Sequence, residues 1–221
     1  KLRNDPDLSA RGLIRKANVA FIGTTDDPID SLEWHQKMKA DETLRCQVLP
    51  AWRPEKAMNL SKPDYLDYLA KLGEVSGVDV IDFRSLIEAL KLRIDYFAEN
   101  GCTISDHSLD YVMYEPSSPE EVETIFAKRL AGELPEFIEK KKFETAFMVA
   151  LGKEYHKKNW VMQLHFGVKR DNNQRIAETV GPDAGVDCIS NYTPGAQMAD
   201  FLNALAVTDE LPKTILYSLN P

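Results

Sequence analysis

The chain has 221 residues, 43% hydrophobic and 28% charged, enough to bury a sizeable core in one large domain or two small ones. Lys plus Arg number 27 against 35 Asp plus Glu, a formal net charge of −8, which argues against a nucleic-acid partner because phosphate binding needs a basic face. No apolar run approaches the roughly 20 residues of a membrane span, the opening KLRNDPDLSARG lacks the apolar stretch of a signal peptide, and three widely spaced cysteines without CxxC spacing read as reduced thiols of a cytoplasmic protein.

Short apolar runs alternate with amphipathic stretches along the chain. The first strand candidate is VAFIG (19–23), followed by TTDDP and the helical SLEWHQKMK. Asp27 and Asp30 read as residues that satisfy free N–H groups before that helix and His35 as a surface or packing residue, while Asp26 stays open between that capping role and a rim or supporting role. CQVLP (46–50) is the second strand and runs into WRPE. SLIEALKLRIDYFAENG (85–101) repeats apolar residues at helical spacing and stops at glycine. CTIS (102–105) is the third strand. SSPEEVETIFAKRLAGE opens with Ser118, Pro119 and Glu121, an N-cap, a first-turn proline and a capping-box glutamate. A long amphipathic stretch (134–159), one helix or two, leads to the fourth strand, WVMQLHF (160–166). VDCI (186–189), a helix over 196–205 and TILY (214–217) complete the pattern.

Six strands alternating with helices predict an α/β fold with a parallel sheet in a single domain. No GxGxxG or GxxxxGK[ST] supports an open nucleotide-binding sheet. Polar, chemically capable residues instead follow nearly every strand, as they do at the C-terminal rim of a (β/α)8 TIM-type barrel. The barrel is the favoured architecture.

Four places along that rim carry chemistry. Arg53, between Trp52 and Pro54, can present a rigid two-pronged donor to a carboxylate; a surface salt bridge, for instance to Glu55, is the plainer alternative, and spacing alone leaves both open. Asp106 and His107 end the third strand, where an Asp can orient a His, although sequence neighbours on a strand point to opposite faces; a Ser/Asp turn is the alternative, and the scarcity of histidine, four in the chain, favours a functional role. Gln163 and His165 share one face of the fourth strand, with Met162, Leu164 and Phe166 on the other. An inward histidine needs a partner, which a metal, a substrate or a core hydrogen bond can supply. KRDNNQR (169–175) can bind hydroxyls or a carboxylate, or simply be solvated. His156 reads as a solvated helix-end residue. No Ser-His-Asp order, GxSxG or HExxH is present.

Taken together, TTDDPIDSLEWH, VLPAWRPEKA, the run ending in SDH at His107, WVMQLHFGVKRDNN, GPDAGVDCIS and LPKTILYSLNP resemble the uronate isomerase family of amidohydrolase-like, metal-dependent barrels. The resemblance implies aldose–ketose isomerisation of hexuronates, D-glucuronate to D-fructuronate or D-galacturonate to D-tagaturonate, by proton transfer through an enediol. It implies a divalent metal, zinc being the expected ion. Carried over by position, Arg53 becomes a substrate-carboxylate residue and His165 a metal ligand. Asp106 and His107 become the catalytic pair, and Arg170, Asn173 and Gln163 substrate contacts. The family's HxH pair and its TDSR-like motif are not in these 221 residues, so the chain is expected to be an incomplete barrel, strands two to seven, with little or no activity alone. Open strand edges would favour self-association. A metal-dependent hydrolase of the same superfamily is the first alternative. It is weakened because CTISDH offers no lysine and VDCIS no histidine. A non-catalytic binding fragment is the second.

Overall fold

A computed structural model describes residues 5–181, 184–192 and 194–219. Pro182 and Asp183 of GPDAGVDCIS, Asn220 and Pro221 of LPKTILYSLNP, and the first four residues of the opening stretch lie outside the described residues. Seven strands are formed among those described: β1 (Phe21–Gly23), β2 (Gln47–Leu49), β3 (Ile104–Ser108), β4 (Val161–Phe166), β5 (Val168–Lys169), β6 (Cys188–Ile189) and β7 (Lys213–Ser218). The helices are α1 (Ala10–Lys16), α2 (Glu33–Lys39), α3 (Glu55–Met58), α4 (Tyr65–Ser76), α5 (Phe83–Glu99), α6 (Pro119–Leu130), α7 (Phe137–Lys157), α8 (Gln174–Val180) and α9 (Gly195–Ala206).

β1 pairs parallel with β2, and β3, β4 and β7 form a second parallel set. Trp52, three residues beyond β2, joins the two sets through single parallel bridges to Asp26 and to Ser105. The spatial order is therefore β1-β2-β3-β4-β7, five parallel strands interleaved with helices, an α/β partial barrel as the alternation predicts. One of the six strand candidates sits elsewhere. Residues 186–189 supply only Cys188–Ile189, paired antiparallel with β5 in a two-stranded ribbon, while β4 pairs directly with β7. The cause is local. Gly167, at φ +85°, swivels the chain out of β4, and its carbonyl accepts from Ser190 N–H at 2.8 Å, so the ribbon grows from the end of β4 rather than beside it.

Helix starts follow the local chemistry. Ser118 caps α6, its hydroxyl accepting from Glu121 N–H while the Glu121 carboxylate accepts from Ser118 N–H. α5 has the same reciprocal cap from Asp82 and Ser85, three residues earlier than the apolar period suggests. The 134–159 stretch is one helix of 21 residues. α4, whose buried side is Tyr65, Tyr68, Leu69 and Leu72, has no counterpart among the expected helices. No helix among the described residues is long and apolar enough to cross a membrane.

The core lies between the sheet and α3 to α7 with α9. Trp52 meets Phe97 edge-on at 5.0 Å, and Phe143 stacks on Phe126 at 5.7 Å. Two buried arginines pin loops to this core. Arg93 donates to the carbonyls of Pro28 and Asp30, and Arg129 to those of Leu60 and Lys62.

Candidate active site

Period-two alternation sorts the residues of β3 and β4 onto two faces, and parallel pairing aligns them. Asp106 lies beside Gln163 and Ser108 beside His165, while Ser105 and His107 lie beside Met162 and Leu164. Met162 and Leu164 are fully buried under helices. The face carrying Asp106, Ser108, Gln163 and His165 is therefore the open one, and β7 adds Tyr217 next to His165.

That open face lines a cleft of about 710 Å³ that includes Arg53, Asp106, Ser108, His165, Arg170, Asp187 and Tyr217. His165 Nδ1 lies 2.7 Å from Asp106 Oδ1, a charge contact set off the line of a hydrogen bond. Tyr217 stacks on the His165 ring at 4.3 Å with 6° between planes, and its hydroxyl donates to Gln163 Oε1 at 3.0 Å. The imidazole is thus held by a carboxylate at one nitrogen and an aromatic face across the ring. That leaves Nε2 as the nitrogen for a ligand or a proton.

Arg53 stands at the other side of Asp106, its Nε 3.5 Å from Asp106 Oδ2 and 3.4 Å from Glu55 Oε2. Arg170 donates from Nη1 to Asp187 Oδ2 at 2.6 Å and from Nη2 to Ser108 Oγ at 2.7 Å, tying the β5–β6 ribbon to the end of β3. Asp187 also accepts from Asp171 N–H, and that bond with the nearby Arg170 guanidinium holds its carboxyl below the usual aspartate range. Arg53, Ser108 and Arg170 border a second cleft of about 580 Å³, whose wall includes Lys62, Lys141 and Glu144. Burial pushes the Glu144 carboxyl up, with Lys141, 2.7 Å away, acting in the opposite sense.

Five of the seven residues singled out in the sequence are brought together here: Arg53, Asp106, Gln163, His165 and Arg170. Two are not. His107 is fully buried on the helix side of β3, its ring 5.7 Å from that of Tyr155, and among the described residues its one ion-pair contact is with Glu55. Placing it beside Asp106 as a cleft residue is corrected by the alternation of the strand. Asn173 caps α8, its side chain accepting from Ile176 N–H at 3.2 Å, and lines neither cleft. Glu55, Ser108, Tyr217 and Asp187 enter the site without having been singled out for it. Glu55 follows Arg53 by two residues, and the salt bridge between them that the spacing allows is formed. The other three are set by strand register and the ribbon, which no local motif encodes.

The TTDDP acids also take definite places. Asp26 is buried and accepts from Thr24 Oγ1 and Ala51 N–H, with His35 Nε2 2.7 Å from the same hydroxyl, so His35 packs inside rather than on the surface. Asp27 accepts from Ile29 N–H and Asp30 from Leu32 N–H, both satisfying the loop before α2, and Asp27 also accepts from Tyr68 OH of α4.

For a metal, His165 and Asp106 offer two adjacent donors. Among the described residues no group of three His, Cys, Asp or Glu side chains is placed to hold an ion. A zinc shell, structural or catalytic, takes at least three protein ligands, so the described residues do not fit zinc by themselves.

A family model for glucuronate isomerase matches residues 1–221. A uronate isomerase of Lachnospira eligens is 60% identical over 221 residues, covering all of this chain and 47% of that protein. One from Lachnoclostridium phytofermentans is 58% identical over 218 residues, again 47% of its length. The crystal structure of a uronate isomerase from Thermotoga maritima superposes with a TM-score of 0.88 at 34% identity, over 96% of this chain and 46% of that one. The chain spans about half the length of the curated relatives it matches.

Proposed function

The chain belongs to the glucuronate isomerase family, and on that premise we propose that it carries part of the active site of a uronate isomerase acting on hexuronates. The observation that carries the reading is the Asp106–His165 pair, 2.7 Å apart in a cleft flanked by Arg53 and Arg170. Aldose–ketose isomerisation needs a base that removes the C2 proton while the C1 carbonyl oxygen takes one. The electron pair then forms the enediol, and return of a proton to C1 with loss of the O2 proton gives the ketose. An imidazole backed by a carboxylate suits both directions of that transfer. The arginines suit the C6 carboxylate, which needs a fixed cation remote from the reacting carbons.

In this reading Asp106 pairs with His165 rather than with His107. A divalent metal, zinc being the expected ion, would occupy His165 Nε2 in place of the proton, leaving Asp106 as the base, and would polarise the sugar oxygens; its remaining ligands would have to come from outside the described residues. Isothermal titration with D-glucuronate tests the reading: weak, saturable binding is expected, reduced by Asp106→Asn, and no detectable turnover by the chain alone. Equal binding of a neutral hexose would sink it.

β7 exposes Ile215, Leu216 and Tyr217, and β1 exposes Phe21. Among the described residues each of these strands is paired along one edge only, and open apolar edges favour association, so light scattering is expected to show self-association that grows with concentration. A monodisperse monomer would argue against it.

A further inference from the structure

His107 remains to be accounted for. Burying an imidazole is costly unless something is gained from its polar atoms, yet its side chain is wholly inaccessible and neither ring nitrogen has an aligned hydrogen bond among the described residues. Trp52 Nε1, Ser105 Oγ and the Tyr155 hydroxyl are buried nearby without aligned partners, and burial raises the Tyr155 hydroxyl well above its usual range, with Trp52 and Ser105 as its polar neighbours. Among the described residues its one ion-pair contact is with Glu55, whose Oε1 is 3.2 Å from His107 Nδ1.

Glu55 is held there by more than the imidazole. The N–H of Ser108, the next residue along β3, donates to the same Oε1 at 3.1 Å. Two neighbouring positions of one strand thus converge on one carboxylate oxygen, the ring from the helix side and the amide from the strand end. The other oxygen, Oε2, is 3.4 Å from Arg53 Nε, which is also 3.5 Å from Asp106 Oδ2. Both of these contacts fall at the Nε corner of the Arg53 guanidinium. Arg53 is a third exposed and borders both clefts.

We propose that His107 and Glu55 are positioning residues for Arg53: the buried imidazole and the Ser108 amide fix Glu55, and Glu55 with Asp106 grips the Nε edge so that the Nη edge faces the clefts, ready for a carboxylate. Two carboxylates on one edge of a guanidinium leave the opposite fork as the only bidentate surface. Ordering a long side chain before binding removes a cost otherwise borne by the ligand. That gives the buried histidine beside Trp52, Ser105 and Tyr155 a role, and a substitution there would act on a residue of the opposite face.

The identity of the ligand rests on the isomerase reading; the positioning does not, and the test separates them. The probe is the Arg53 Nε–Hε signal in a 15N–1H spectrum of the whole chain, assigned by its loss in Arg53→Lys, with D-glucuronate titrated in parallel. Glu55→Gln and His107→Leu are each expected to shift or broaden the Arg53 signal while the amides of β4 and β7 stay in place. Each should also weaken D-glucuronate by roughly three- to tenfold, the range for one long side chain that must be ordered on binding. An Arg53 signal unchanged in His107→Leu would overturn the proposal. Should that variant unfold, His107→Asn and His107→Gln decide: the asparagine amide overlays Nδ1 and the glutamine amide Nε2, so only asparagine is expected to keep the wild-type signal, and no difference between them would overturn the proposal. Failure of the wild-type chain to bind D-glucuronate would sink the isomerase reading and leave the spectral result to judge the positioning.

Discussion

Adjacent residues on β3 and β4 belong to different worlds. Leu164 is fully buried against the helices, whereas the His165 side chain is 44% exposed and faces the cleft. His107 is sealed beside Tyr155, whereas Asp106 meets His165 and Arg53. The difference teaches that the helix side of the sheet stabilises the fold and the open side is left for chemistry. The sharpest way to break that comparison is to shorten both members of one pair. Leu164→Ala should lose about 2–5 kcal/mol of stability, the transfer and cavity cost of a buried leucine. His165→Ala should lose less than ~1 kcal/mol, as expected for a half-exposed side chain with one charge contact. Urea denaturation reads both, and equal losses would mean that the faces are not divided in this way.

Binding should divide the faces in the opposite sense. Arg53→Ala is expected to weaken D-glucuronate by about 10- to 100-fold, the range for losing hydrogen bonds between charged groups. Leu164→Ala, wherever it remains folded, should leave the affinity within about threefold. Titration calorimetry measures both, and a comparable loss in the two variants would dissolve the distinction.

Most of this division was readable in the sequence because a strand's period of two is a local property. MQLHFG alone predicts that Gln163 and His165 share a face opposite Met162, Leu164 and Phe166, and the burial of β4 follows that alternation. The same rule applied to SDH puts His107 opposite Asp106, so their adjacency in the chain is not adjacency in the site. What the sequence did not carry is register and long-range pairing. That Tyr217 lies against His165 depends on β7 pairing with β4, and no residue of TILY reveals its neighbour. The ribbon escaped for a related reason: VDCI has the apolar content of a strand, but its partner is set by the turn at Gly167. α4 was hidden by tyrosines and an Asp that interrupt a simple apolar period, although Tyr65 and Tyr68 are themselves the buried residues.

The smallest expected effect tests whether solvent access is enough to separate function from scaffold. Asp82 is only partly buried and lies far along the chain from any cleft residue, yet it caps the longest helix packed against α4. Its Oδ1 accepts from Ser85 N–H at 2.6 Å and from the Ser85 hydroxyl at the same distance. Asp82→Ala should therefore lose about 1 kcal/mol at neutral pH, the usual cost of an N-cap, with no change in D-glucuronate affinity. The two Ser85 hydrogen bonds hold its carboxyl below the ordinary aspartate value of 3.8. A carboxyl whose folded pKa is depressed contributes fully above its unfolded value and less as pH falls through the folded one. The gap between wild type and Asp82→Ala should accordingly stay constant from neutral pH down to about 5 and narrow only below about 4. A gap that vanished near pH 6, or a variant with altered sugar binding, would show that this cap is coupled to the cleft rather than to the helix it begins.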